Sequence, residues 1–275
     1  VGSLSNKGFE IALGIEPIRS KNFTWNVDVI FNKNKNRVEE IPQGLIQFNN
    51  PAGSSSLLPG YPVGVFYGFF FARDANGNEI KNSSGIPLQE RGTQLTPSTY
   101  TTQRDANGLP TGTPLRKVIG DPNPEWTGTL VNSFNYKKVS LRVQMDAVQG
   151  NTIWNADFRT RQGVGNGQEF AQREHNAELV RGYIAGIYAI EEWRMDDGSF
   201  VKLRELALSY SFGRVHKSIS DLTLTFAGRN LYSWDNYKGF DPETNSGGGS
   251  TLVRGVDFGN VPIPRTYAIT INAKF

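Results

Sequence analysis

The chain has 275 residues, with 30 glycines and 12% aromatic residues beside 20% charged ones. That mix fits a turn-rich β protein better than a helical or disordered one. Its formal charge of +3 comes from 29 Lys and Arg set against 26 Asp and Glu, spread without a basic block, so nothing points to nucleic acid. No Cys is present, which excludes disulfides, thiolate metal sites and a Cys nucleophile, and two distant His argue against a histidine zinc site. No cofactor is expected. No apolar run approaches the ~18 residues of a membrane helix, but membrane β-strands escape that test, since only every second residue is apolar. The opening Val1-Gly2-Ser3-Leu4 is neither an initiator nor an export signal.

In chain order, seven rows of period two stand out. Phe9, Ile11, Leu13 and Ile15 alternate with Glu10, Ala12, Gly14 and Glu16. Phe23, Trp25, Val27, Val29 and Phe31 follow, against Thr24, Asn26, Asp28, Ile30 and Asn32. The third row is Trp126, Gly128, Leu130, Asn132, Phe134 and Tyr136, imperfect at Asn132. The fourth is Val139, Leu141, Val143, Met145 and Ala147. Leu206, Leu208, Tyr210 and Phe212 make the fifth, and Leu222, Leu224 and Phe226 the sixth. The seventh runs through Tyr267, Ile269, Ile271 and Ala273 to Phe275. Strands of about ten residues are roughly double the ordinary length and suit a membrane barrel.

The connections strengthen that reading. Short links at residues 17–22, 135–138 and 213–220 alternate strictly with long ones at 32–125, 150–199 and 231–264. Outer-membrane barrels have short periplasmic turns and long extracellular loops. Seven strands would leave two open edges in lipid, which is not viable. The expectation is therefore an all-β chain forming an arc of a larger transmembrane barrel, the remainder preceding Val1. Phe9, Ile11, Leu13, Trp25, Val27, Val29, Leu130, Leu141, Val143, Leu208, Leu224, Ile269 and Ile271 should face lipid. Asn26, Asp28, Arg142, Gln144, Thr225 and Asn272 should face the lumen, because a charge at mid-bilayer costs about 2–4 kcal/mol for Arg or Lys. Phe31, Trp126 and Tyr267 should form an outer aromatic girdle, and Phe23, Phe134, Tyr136, Phe212 and Phe275 a periplasmic one. The alternative is a soluble β-sandwich that binds glycans through its loops.

In the first long loop, Arg73-Asp74-Ala75-Asn76-Gly77 and Arg104-Asp105-Ala106-Asn107-Gly108 predict two hairpin tips, since Asn-Gly accepts positive φ. The aromatic run from Tyr61 to Phe71 could stack on sugars, but packing is the expected role. Tyr61, Phe66 and Tyr67, with Trp234, Tyr237 and Phe240 of the third loop, are the candidate contacts to a partner or substrate. Asp74, Asn76, Asn78 and Glu79 offer oxygen ligands, but the glycine spacing departs from a Ca²⁺ loop and a plain turn is expected. A short surface helix is expected at 168–181, with a solvated His175. Gly247-Gly248-Gly249 lacks the helix and Lys of a phosphate cradle. Glu191, Glu192, Asp196 and Asp197 read as solvated rim charges, and no catalytic set emerges.

Several stretches resemble one family. VGSLSNKGFE at 1–10, GDPNPEW at 120–126, DGSFVKLREL at 197–206, NLYSWDNYKGFDP at 230–242 and GVDFGNVPIPRTY at 255–267 are similar, in order, to segments of the SusC/RagA family of TonB-dependent outer-membrane transporters. The resemblance implies the C-terminal arc, residues 1–275, of a 22-stranded barrel in a Gram-negative outer membrane. The plug, the TonB box and the leading strands would lie outside this chain. It further implies import of oligosaccharides or peptides, coupling to the TonB complex through the missing N-terminal part, and a SusD-like surface lipoprotein over the mouth. Tyr267 and Phe275 would then belong to the terminal signal read by the barrel-assembly machinery.

Overall fold

A computed structural model describes residues 2–50, 53–165, 178–250 and 252–275. Its main element is one antiparallel sheet of seven strands in sequential order. These are β1 (Ser3–Arg19), β2 (Phe23–Glu40), β3 (Trp126–Tyr136), β4 (Val139–Gln149), β5 (Phe200–Gly213), β6 (Asp221–Asp235) and β7 (Thr266–Lys274). Among the described residues β1 pairs only with β2, and β7 only with β6, so the sheet is an open arc.

The register aligns the apolar rows. Leu13 pairs with Val29, Val29 with Leu130, Leu130 with Met145. Further along, Leu141 pairs with Leu208, Leu208 with Phe226, and Phe226 with Ile269. Cross-strand partners share a face, so one face of the whole arc is apolar. The expected lipid-facing residues all lie on it. The other face carries Asp28 opposite Val131, Ser133 opposite Arg142, Gln144 opposite Glu205, and Thr225 opposite Thr270. Asn132, the odd residue of the apolar row, accepts a hydrogen bond from the Trp25 indole at 3.0 Å, which satisfies its amide oxygen where no water would.

The strands are longer than their apolar rows suggest. β1 has 17 residues and β2 has 18, because pairing continues above the last aromatic residues through polar sequence, Asn6 with Asn36 and Lys7 with Lys35. The first long loop accordingly starts at 41 rather than 32. Similarly β6 runs to Asp235, its register shifting where Asn230 takes φ 53. At the opposite end β1 absorbs Pro17 in a register shift between Ile15 and Ile18, where a residue without an N–H costs no ladder bond. That leaves only 20–22 as the turn. β7 stops at Lys274, so Phe275 lies just past the paired strand.

The hydrophobic core lies elsewhere. Buried Phe66, Trp154, Ala156 and Val256, packed with Ile119, Met195 and Val253, come from all three long loops. A second cluster joins Phe71 to Ile184, Ile187 and Ile190. Small sheets frame these clusters. Ile46–Asn50, Gly53–Leu57, Val65–Phe69 and Arg116–Gly120 form one within the first loop. Thr152–Asn155 of the second loop pairs on one side with Met195–Asp197 of the same loop and on the other with Val256–Asp257 of the third. No second sheet among the described residues covers the apolar face of the arc, as a sandwich would require.

Both expected hairpin tips form, and a third lies between them. Asp74, Asn82 and Asp105 each accept from the amides two and four residues on, at 2.8–3.0 Å, and Gly77, Gly85 and Gly108 take positive φ. The Asp74 carboxylate is thus occupied by the turn, and the bond from the Asn78 side chain, followed by the backbone amides, holds its pKa below the usual value. The unforeseen turn, Asn82-Ser83-Ser84-Gly85, has the same spacing of Asx and Gly. The helix expected at 168–181 and His175 lie almost wholly outside the described residues; 178–181 is not helical.

Candidate functional site

The polar face of the arc continues upward into a charged belt where the third loop meets the wall. Lys202 on β5 donates to Asp241 at 2.6 Å and to Glu243 at 2.7 Å. Arg204 sits at the register shift of β5, which lets its guanidinium reach Asp146 of β4 at 2.6 Å, Asn230 of β6 at 2.8 Å and Glu243 at 2.8 Å. Asp146 also accepts from Thr129 of β3 at 3.0 Å. Three strands and a loop are therefore tied through two cations. Lys202 and Asp241 are both nearly buried, so losing one partner would strand a charge away from water, typically a cost of about 3–5 kcal/mol. Burial alone would raise the Asp241 carboxyl. The bonds from Lys202 and from the Glu243 and Ile263 amides, with the Lys202 charge, outweigh it and hold the carboxyl below its usual value.

Three of the stretches that carried the family resemblance, 197–206, 230–242 and 255–267, meet here. Asp241 and Glu243 contact Lys202 and Arg204, while Tyr237 donates to buried Asp257 at 2.5 Å and Thr244 to the same carboxylate at 3.1 Å. Burial and then Asp257 push the Tyr237 hydroxyl pKa far up, so it stays a donor. Asn123 donates to the Val63 carbonyl at 2.9 Å, and the Asp121 carbonyl accepts from Thr152 at 2.6 Å. These residues knit the long loops into one cap and fasten the cap to the wall.

Two expectations about charges are corrected. Glu191 and Glu192 belong to a 3₁₀ turn and are not solvated rim charges, since they accept from the amides of Phe69 and Phe71 at 2.7 and 2.8 Å. They dock the second loop on the aromatic run of the first. Asp196 is buried and accepts from Asn155 at 2.8 Å. Of these four carboxylates, only Asp197 is an exposed one; it caps the Ser199 amide. Beside them, buried Arg194 donates to the Tyr188 carbonyl at 2.7 Å, and burial followed by nearby Arg159 pushes its pKa down to about 9. It remains a cation at neutral pH.

The candidate contact residues separate into three groups. Phe66, Tyr67 and Tyr237 are buried inside the cap, so their rings hold the loops together rather than meet a partner; packing is what the aromatic run does. Tyr61 is half-buried. Trp234 is exposed but lies on the apolar face, on the row of Val201 and Ala147, with Tyr232 at 4.8 Å. Parity carries it to the outer aromatic girdle, where Phe9, Phe31 and Trp126 stack at 5.7–5.8 Å. Phe240, 66% exposed, remains on the cap beside a 220 Å³ cleft lined by Lys202, Ser233, Asp241, Ile263 and Arg265. Tyr267 stacks on Phe226 at 6.5 Å on the apolar face, and Phe275 is 91% exposed. At the short-turn end, Phe134 stacks with Phe23 and Trp25.

No family model matches the chain. It is 26% identical, over its whole length, to TonB-dependent receptor P3 of Formosa agariphila and 21% identical to the TonB-dependent receptor SusC of Bacteroides thetaiotaomicron. It covers 29% and 27% of those proteins, so the chain spans less than a third of the curated relatives it matches. Among solved structures it aligns over its full length with 30% of a chain of the RagAB peptide importer in the closed-closed state, with a TM-score of 0.76 and 20% identity. A second RagAB structure, of the open-open state, gives 0.72 and 22%. Along its full length the chain is similar in sequence to TonB-dependent receptors, SusC among them, and its fold is that of a stretch of outer-membrane β-barrel wall with its loops.

Proposed function

We propose that residues 1–275 are the C-terminal arc of an outer-membrane importer of oligosaccharides or peptides, working beneath a SusD-like surface lipoprotein. Energy would come from the TonB complex through a plug and TonB box carried by the part of the protein outside this chain. The observation behind this reading is the inversion of the sheet. Its apolar face is bare and its opposite face is polar, as in a wall between lipid and an aqueous lumen. The likeness to SusC and to RagAB supports the import role and the lipoprotein. The wall's task is gated passage, with loops and plug together setting selectivity, and not bond making. The three long loops form one cap at the end opposite the short turns, and Phe240 with its cleft is the contact proposed for the lipoprotein or the cargo.

The test is uptake by cells carrying the intact receptor, using labelled oligosaccharides and labelled peptides of matched size. The expected result is uptake of one class that disappears when the proton gradient is collapsed, and co-purification of a lipoprotein that weakens with Phe240→Ala. Uptake that survives gradient collapse, or that ignores loss of the receptor, would overturn the proposal.

A further inference from the structure

The upper part of β2 reads Asn32-Lys33-Asn34-Lys35-Asn36-Arg37, a period-two row in which asparagines and cations take opposite faces. The register assigns the faces. Lys33 pairs with Phe9 and Lys35 with Lys7, with no shift between there and the pair Ile11–Phe31. Lys7, Lys33, Lys35 and Arg37 therefore share the face of Phe9, Ile11 and Phe31, which is the lipid side, while Asn34 and Asn36 face the lumen. The cations stand directly above the stacked Phe9, Phe31 and Trp126 rings. Rings of this kind mark the headgroup level, so the cations project into or just above the headgroups of the outer leaflet.

Elsewhere the apolar-parity positions of the paired wall, from Trp126 on β3 to Ala273 on β7, hold no charge, so the cluster is local. It is also internally repulsive. Lys7 and Lys35 are directly opposite, an arrangement that destabilises a sheet when the charges are alike, and Lys33 lies about 7 Å further along the strand. Two carboxylates lie further up this side: Glu39 is engaged by Arg37 at 3.6 Å and by Ser5, and Glu40 pairs with Ser3, beyond Arg37 from the lysines. Lys7, Lys33 and Lys35 are exposed, and among the described residues they have no ion-pair partner. Three unpaired ammonium groups in one plane, on flexible stems that rise from an aromatic belt, match one chemistry well: a phosphate monoester on a lipid headgroup, which offers several oxygens to more than one cation.

We propose that this outward face binds the phosphorylated glycolipid of the outer leaflet, with Lys7, Lys33 and Lys35 around a headgroup phosphate and the acyl chains along Ile11, Leu13 and Val29. The site would anchor the barrel at a fixed height and does not take part in passage of cargo. It rests on the outer-membrane reading, and that reading fails separately: a chain that was not a barrel would stay dispersed without detergent.

The test uses the intact receptor in mild detergent, with phosphorylated lipid A and its dephosphorylated form as probes and bound lipid counted by native mass spectrometry. The protein should bind the phosphorylated form preferentially. The triple variant Lys7→Gln, Lys33→Gln, Lys35→Gln should bind it about 100-fold more weakly, at about fivefold for each cation near an anionic surface. Lys137→Gln, at a short turn, should change nothing. Equal binding of the two lipid forms would overturn the proposal without reference to any variant. So would unchanged binding by the triple variant, as expected if an acidic side chain from the strand beside β1 neutralises the lysines. Loss of the lipoprotein with lipid binding intact would assign the patch to a protein partner and overturn it as well.

Discussion

Ile271 on β7 and Phe66 in the first loop are both apolar side chains on β-strands, and their surroundings are opposite. Ile271 is 69% exposed, with Ile269, Phe226 and Leu208 exposed around it, whereas Phe66 is fully buried among residues from three loops. In water, each bare side chain of the wall would forgo about 1.5–3 kcal/mol of burial, so the wall makes sense only with lipid as its solvent. The cap obeys the ordinary rule of an apolar interior and polar exterior. One chain thus folds under two solvents, and the boundary is the aromatic row of Phe9, Phe31, Trp126 and Trp234. Below it stability comes from ladder bonds and lipid; above it, from packing and buried charge pairs.

The comparison can be broken most forcefully inside the cap. Phe66→Ala should destabilise the cap by about 3–5 kcal/mol, seen as faster protease cleavage in 41–125, while the amount of inserted barrel is unchanged. Loss of insertion would mean that the cap core also holds the wall. Leu208→Arg, on the apolar face, should cost about 2–4 kcal/mol of folding into a bilayer, whereas Ser209→Arg on the next position should cost far less. Equal penalties at the two sites in a vesicle-folding titration would remove the distinction between faces.

The clamp between cap and wall should respond to acid. The Asp241 carboxyl is held below its unfolded value, so its contribution is full at neutral pH and is lost as pH falls below about 4. The protection of the Glu243 and Ile263 amides, taken as their exchange relative to the intrinsic rate at each pH, should therefore fall in acid and lose this pH dependence in Asp241→Asn. An unaltered profile in that variant would contradict the assignment. The smallest effect concerns Asn132→Leu, which removes the acceptor of the Trp25 indole but adds apolar surface toward lipid. The net change in bilayer stability should stay within about 1 kcal/mol.

The faces of the wall were legible because period two survives along a strand whatever the solvent, and the strict alternation of short and long links exposed the topology. The strand ends were not. Between Asn32 and Arg37 both faces are polar, and alternation of Asn with Lys carries no hydropathy signal, so read by apolarity alone β2 ends at the aromatic row. The same blindness placed Trp234 in a loop, although it continues the parity of Tyr232. In the cap, Glu191 and Glu192 read as surface charges because their partners are main-chain amides more than a hundred positions away. Of the clamp, Lys202, Arg204 and Asp241 lay within resembling stretches and Glu243 just past the end of one, but only the fold brings those stretches together. The turn at Asn82 could have been found from the Asx and Gly spacing it shares with its two neighbours.

The central claim is that the arc separates lipid from water, and β7 tests it most directly. The chain contains no Cys, so single cysteines at 268–273 in the intact receptor, freed of any others, are unique probes. In vesicles, labels at Ile269→Cys and Ile271→Cys should be quenched by a bilayer-confined quencher and should react slowly with a water-soluble maleimide. Ala268→Cys, Thr270→Cys and Asn272→Cys should escape that quencher, each flanked by quenched positions. Quenching without period two, or with the two parities exchanged, would contradict the account.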